Sequence, residues 1–232
     1  MTACGGFEAL LHVVRSQGSV SIEFVETPVL ATAGRPAVFQ IVTTANIFST
    51  TWTSPGGDVI ATWTSAGPVV NIGDYEGRVT LTATRFTIDP SQLRDVGNYS
   101  VRMSPSQNTG LLPNTGFVEL RVFDAVAGVS LAMTPDVAVE GSSLSMRCSW
   151  AAGTQTSVAW RRGDKVLSTG GRITVSGGTL SINPARRDDT GEYSCTVSNP
   201  VSAQTTRASV TVYCESQLHV FLLQKRDQGA LR

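Results

Sequence analysis

Few side chains in this chain are able to do chemistry, and their pattern favours cross-linking over catalysis. Four cysteines, Cys4, Cys148, Cys195 and Cys214, stand in its 232 residues, with only two histidines, His12 and His219, both in terminal segments. None of the cysteines falls into the paired Cys-x-x-Cys runs of a structural zinc site. A Ser-His-Asp arrangement lacks imidazoles to be built from, and no carboxylate cluster stands in for one. No metal, cofactor or small-molecule substrate is implied, and an enzyme is the least favoured class. A disulfide between two of the cysteines is the better use, and it implies an oxidising compartment. Eighteen basic residues balance eighteen acidic ones. No cationic face therefore recommends nucleic acid as a partner.

The elements that must position these residues are short strands. In one half of the chain Leu144, Met146 and Cys148 alternate with Ser143, Ser145 and Arg147, the period-2 mark of a half-buried strand. Val158 and Trp160, Ile173 and Val175, Leu180 and Ile182, then Tyr193, Cys195 and Val197 continue the pattern, with Gly-rich turns between them. About seven strands in some ninety residues, without helical periodicity, predict a β-sandwich. The other half reads alike, through Ala37, Phe39 and Ile41, then Trp52, Val79 and Leu81, Phe86 and Ile88, Tyr99, Val101 and Met103, and Val118, Leu120 and Val122.

The two halves are a duplication. Asp95-Val96-Gly97-Asn98-Tyr99-Ser100-Val101 and Asp189-Thr190-Gly191-Glu192-Tyr193-Ser194-Cys195 share the pattern D-x-G-x-Y-S-z, where z is a buried position. Seventeen residues before each Asp an Arg opens an extended segment, Arg78 in one unit and Arg172 in the other. Between Trp52 and Arg78 lie 25 residues, against 11 between Trp160 and Arg172, so the first unit has room for additional edge strands. The boundary falls near Phe123-Asp124-Ala125. The expected domains are 19–124 and 125–214, flanked by an atypical segment 1–18 and a tail 215–232.

The ends fit a secreted chain poorly. Residues 1–20 offer only Ala9-Leu10-Leu11-His12-Val13-Val14 as an apolar run, preceded by Glu8 and broken by the histidine. Val220-Phe221-Leu222-Leu223 falls far short of the roughly 20 apolar residues of a membrane span.

On these residues the chain resembles the immunoglobulin superfamily: an all-β protein of two tandem immunoglobulin-like sandwiches. Cys148, Trp160 and Cys195 stand in the Cys…Trp…Cys order, with the Tyr193-x-Cys195 corner and Asp189-x-Gly191 before it. The resemblance implies a Cys148–Cys195 bridge between sheets with Trp160 packed against it, and a Tyr193 hydroxyl returned to nearby backbone. It also implies ion pairs of Arg78 with Asp95 and Arg172 with Asp189. In the first unit the two cysteine positions fall on Ile41 and Val101, an apolar pair beside Trp52 and Tyr99. A variable-type first domain without its bridge, followed by a compact bridged one, resembles the carcinoembryonic-antigen-related cell adhesion molecules, and somewhat less the hepatic and glial adhesion molecules. The runs Gly73-Asp74-Tyr75-Glu76-Gly77-Arg78, Thr115-Gly116-Phe117 and Cys195-Thr196-Val197-Ser198-Asn199-Pro200-Val201-Ser202 carry the family likeness.

Such proteins act at the cell surface or outside the cell, binding a like molecule or another receptor through the first domain. A secreted decoy or immune modulator, and a spacer without a ligand of its own, are the alternatives. The expected contact surface is the exposed C-C′-F-G face. If Trp52, Tyr99, Val101 and Met103 point inward, Thr51, Thr53, Ser100, Arg102 and Ser104 point out, with Phe48 at the start of the strand. The resemblance adds Asp58 and Ile60 to the same face. Phe48 is either an exposed anchor or a side chain packed under its loop. Arg102 is either a solvated charge or a two-fold partner for Asp58 of another copy. Asn98-Tyr99-Ser100 is the one Asn-x-Ser/Thr sequon, with Asn98 pointing outward. Cys214 is open to three uses: a free thiol, an inter-chain bridge, or a partner for Cys4.

Overall fold

The computed structural model describes residues 17–70 and 73–217, with no side-chain placement for Val70. Cys4, His12 and His219, and both apolar terminal runs, lie outside these residues. Among the described residues no helix is long and apolar enough to cross a membrane.

Among the described residues ten strands build the first sandwich: β1 (Glu23–Phe24), β2 (Val29–Thr32), β3 (Ala37–Val42), β4 (Ile47–Thr53), β5 (Val59–Thr64), β6 (Gly67–Val70), β7 (Val79–Leu81), β8 (Arg85–Ile88), β9 (Gly97–Pro105) and β10 (Asn114–Phe123). One sheet runs β1-β3-β8-β7 and the other β2-β10-β9-β4-β5-β6. The long stretch after Trp52 holds β5 and β6, which extend the second sheet at its edge. Ten more strands build the second sandwich: β11 (Ser130–Thr134), β12 (Ala138–Val139), β13 (Leu144–Ser149), β14 (Ser157–Arg162), β15 (Lys165–Leu167), β16 (Ile173–Ser176), β17 (Thr179–Ile182), β18 (Gly191–Asn199), β19 (Ser202–Val210) and β20 (Val212–Tyr213). Its sheets are β11-β13-β17-β16 and β15-β14-β18-β19, with β12 and β20 paired in parallel. The chain divides into two compact units, residues 17–29, 38–70, 73–89 and 97–120 belonging to the first, and 30–37, 90–96 and 121–217 to the second.

Alternation along the strands decides which side chains are buried. In β13 Leu144, Met146 and Cys148 are buried while Arg147 and Ser149 are exposed. Cys148 and Cys195 come from facing sheets and are bonded, with Cα atoms 6.3 Å apart. Trp160 lies opposite Cys195 on the neighbouring strand and is 1% exposed.

The first sandwich has another solution at its centre. Ile41 and Val101, at the positions equivalent to the two cysteines, are both buried. Around them sits an aromatic cluster drawn from both sheets. Phe39 lies 5.3 Å from Trp52 and 5.2 Å from Tyr99, and Trp52 stacks on Phe86 at 4.7 Å. Rings in tilted and offset contact add to their area burial. The motif glycine is explained here too. Gly97 has φ of +144°, and a Cβ on it would meet Pro55 at 2.7 Å, so a larger residue is strained twice over.

At the base of the second sandwich Asp189 is buried and fully engaged. It accepts Arg172 Nη1 at 2.7 Å and Nη2 at 3.1 Å, and the Arg186 N–H at 2.7 Å. Its backbone carbonyl accepts the Tyr193 hydroxyl at 2.8 Å. Burial alone pushes the Asp189 carboxyl upward. The Arg172 bond, the Arg186 N–H and the charges of Arg172 and Arg162 outweigh it, and the net direction is downward. A carboxylate whose folded pKa is depressed stabilises above its ordinary range and loses that contribution as pH falls through the folded value. Asp189→Asn is therefore expected to cost the second sandwich about 2 kcal/mol at neutral pH. The gap to the parent should close on acidification below the ordinary aspartate range. A gap unchanged between pH 7 and pH 2 in urea titrations would sink this account. In the first sandwich Asp95 is likewise buried and accepts the Gln92 N–H at 2.8 Å. Arg78 donates to the Asp74 carbonyl at 2.7 Å and lies over the Tyr75 ring.

Candidate binding face

The six-stranded sheet turns one side to its aromatic core and the other to solvent. On the central strand β9, Tyr99, Val101 and Met103 are each fully buried. Asn98, Ser100, Arg102 and Ser104 stand between them and face the other way. The strand register places their neighbours. Thr115, Arg102, Thr51, Thr62 and Val69 stand opposite one another in one row across the sheet. Phe117, Ser100, Thr53 and Val59 form the next row. Ser104, Ser49, Thr64 and Gly67 form a third.

The face is a field of small hydroxyls with a few larger side chains set in it. Thr51 and Thr62 hydroxyls lie 3.2 Å apart across β4 and β5. Arg102 is exposed, and its side chain makes no ion pair or hydrogen bond among the described residues. Asp58 is exposed in the turn between β4 and β5, where its N–H donates to Ser54 Oγ at 3.2 Å. Its carboxylate is at the end of the sheet rather than in one of the three rows.

Two bulges change what straight counting expects. Trp52 pairs with Ala61 but Thr53 pairs with Val59, so Ile60 is the extra residue. Ile60 is 3% exposed and belongs to the core, which corrects its placement on the contact face. A bulge puts two residues of one strand against one of its partner, and period-2 counting reverses on passing it. Val59 takes the outward place instead, at 44% exposed. The second bulge lies between Ile47 and Ser49, where the register skips Phe48. Phe48 is 54% exposed, so it is not packed away under its loop.

Phe117 belongs to this face as well. At 71% exposed it is the most exposed large apolar side chain among the described residues, and it lies in the row of Ser100 and Thr53. Val118, Leu120 and Val122 point inward on the same strand, so parity alone places Phe117 outward. Val69, 60% exposed beside Thr62, could not be assigned without the β5–β6 register.

Elsewhere, no three His, Cys, Asp or Glu side chains gather as a metal set among the described residues. Among the described residues Cys214 is unbridged; a hydrogen bond with the Ser216 hydroxyl, 3.1 Å away, is the chief influence drawing its thiol pKa down.

Comparison with known proteins agrees with this architecture. Residues 129–212 match the family model described as the immunoglobulin I-set domain. Mouse HEPACAM family member 2 is 34% identical over 119 residues, half of this chain and 26% of that protein. Human hepatic and glial cell adhesion molecule is 28% identical over 154 residues, 64% of this chain and 36% of that protein. The chain thus spans only about a quarter to a third of the length of these relatives. Among solved structures, murine CEACAM1b superposes with a TM-score of 0.68 at 22% identity, covering 84% of this chain and all of that one. At that identity the likeness concerns fold.

Proposed function

Since the chain is an immunoglobulin-superfamily protein resembling the cell adhesion molecules of that superfamily, we propose that it serves recognition at the cell surface or outside the cell. It engages a protein partner through the solvent face of β10, β9, β4 and β5. The observation that carries this reading is Phe117, an aromatic left 71% exposed opposite Ser100, which stands two residues along β9 from Arg102, whose side chain has no ion pair among the described residues. An exposed aromatic and an arginine amid small polar side chains have the composition of an interface anchor. The buried disulfide supports an oxidising, extracellular setting.

A second copy of the chain is the partner best matched by charge. Arg102 and Asp58 are both exposed and without an ion pair among the described residues, and a two-fold contact sets each against the other in its mate. Thr51, Thr53 and Ser104 supply hydroxyls around them, and Phe48 lies at the start of β4. With so little apolar area the single contact is weak, and avidity between arrayed copies gives it strength. By the same duplication that equates the two D-x-G-x-Y runs, we assign Arg78 to Asp95 as its charge partner.

Sedimentation of the chain over a wide concentration range, with binding to cells displaying it, tests this. Arg102→Ala and Phe117→Ser are each expected to weaken association about tenfold or more, the usual loss for an anchor. Asp58→Arg should abolish self-association, and its mixture with Arg102→Asp should restore it. Monomers at every concentration together with no cell binding would leave a spacer in place of a recognition module.

A further inference from the structure

The sequon Asn98-Tyr99-Ser100 is the one Asn-x-Ser/Thr site in the chain, and the fold puts it on the proposed contact face. Tyr99 is fully buried, with its hydroxyl 3.0 Å from that of Tyr75. Its neighbours are thereby turned outward. Asn98 is exposed, opposite Glu119, and its side chain makes no hydrogen bond within the described residues. Ser100 faces the same way and pairs with Phe117 and Thr53. Phe117 is thus the diagonal neighbour of Asn98, at a distance of about 7–8 Å between such positions.

We infer that Asn98 is an N-glycosylation site and that its sugar and a protein partner compete for one end of the face. In the transfer, Asn98 Nδ2 loses a proton and bonds to the anomeric carbon of N-acetylglucosamine. The bond broken is that sugar's link to a polyprenyl diphosphate donor, and the lipid diphosphate leaves. The first sugar ring, fixed to an outward side chain, reaches the exposed ring of Phe117, whose apolar surface suits the C–H face of a pyranose. A larger glycan then covers the Phe117–Ser100–Thr53 row and leaves Arg102 at its border. The competition rests on the contact-face reading, whereas occupancy of the site does not.

The test is to direct the full chain through the mammalian secretory pathway behind an added leader and to measure it intact and as peptides. The wild type and Ser100→Thr should carry mass released by peptide N-glycosidase, with Asn98 converted to aspartate. Asn98→Gln and Ser100→Ala should carry none, and far-ultraviolet dichroism and thermal unfolding should show all four folded. A folded, secreted wild type with unmodified Asn98 overturns the site. Association should be several-fold tighter for Asn98→Gln than for the glycosylated wild type. Equal association overturns the competition while leaving the site standing. No association in either form, with the glycan present, overturns the contact-face reading and the competition together.

Discussion

Loss of the Cys148–Cys195 bridge is expected to destabilise the second sandwich by about 4 kcal/mol, the chain-entropy value for a loop of this size. The loop closed by the bridge spans 47 residues, so its removal frees a large part of the unfolded domain. Small domains retain only about 5–15 kcal/mol in total, and Cys148→Ala with Cys195→Ala should bring this one near its threshold. The first sandwich has Ile41 and Val101 at the corresponding places and should not respond. Guanidinium unfolding with and without reductant, followed by site-resolved hydrogen exchange, separates the two. Amides of β13, β14 and β18 should lose protection on reduction while those of β3, β4 and β9 keep theirs. Protection that is unchanged in β13 and β18 under full reduction would falsify the assignment of stability to the bridge.

The converse holds for the aromatic centre of the first sandwich. Trp52→Ala is expected to cost about 3–5 kcal/mol, the range for deleting a large buried aromatic. Trp52 is completely buried and touches Phe24, Phe39 and Phe86 within one cluster. With no covalent link between these sheets, nothing but packing replaces what the cavity removes. Phe86→Leu retains most of the apolar volume and should cost no more than about 1–2 kcal/mol. Urea titration of the two variants, read by tyrosine and tryptophan fluorescence, gives the comparison. A Trp52→Ala protein no less stable than Phe86→Leu would show that the cluster is not what holds the sheets together.

These two results express a difference already visible in residue types. The second sandwich has a cysteine in each sheet and two large rings in its fully buried core, Trp160 and Tyr193; the first has Trp52, Tyr99, Phe39 and Phe86 and no cysteine. Ile41 stands seven residues after Gly34 as Cys148 stands seven after Gly141, and Val101 ends the D-x-G-x-Y-S-z run as Cys195 does, so the cysteine positions are legible from spacing alone. That they stand on facing sheets with four rings around them required the fold.

On the contact surface the division is sharper. Parity alone turns Thr51, Thr53, Arg102 and Ser104 outward, since an unbroken strand turns alternate residues to alternate sides. Ile60, which the resemblance sets on this face, turns inward and Val59 outward because a bulge opposite Trp52 and Thr53 shifts the register. Nothing local in Gly56-Gly57-Asp58-Val59-Ile60 states where that extra residue falls. Phe117 was readable by the same parity rule as Arg102, from Val118, Leu120 and Val122 beside it. Its position in the row of Ser100 and Thr53 was not, because that depends on how β10 slides against β9.

The amino-acid order by itself determined the strand content, the duplication, the inward set of most strands and the cysteines able to bridge. Each is a local property, set by side-chain alternation every two residues or by a short repeated run. Tertiary structure alone decided which outward residues share a row, where the alternation breaks, and that Asn98 and Phe117 stand on one surface. Those depend on cross-strand register, which is fixed by hydrogen bonding and packing between segments distant along the chain.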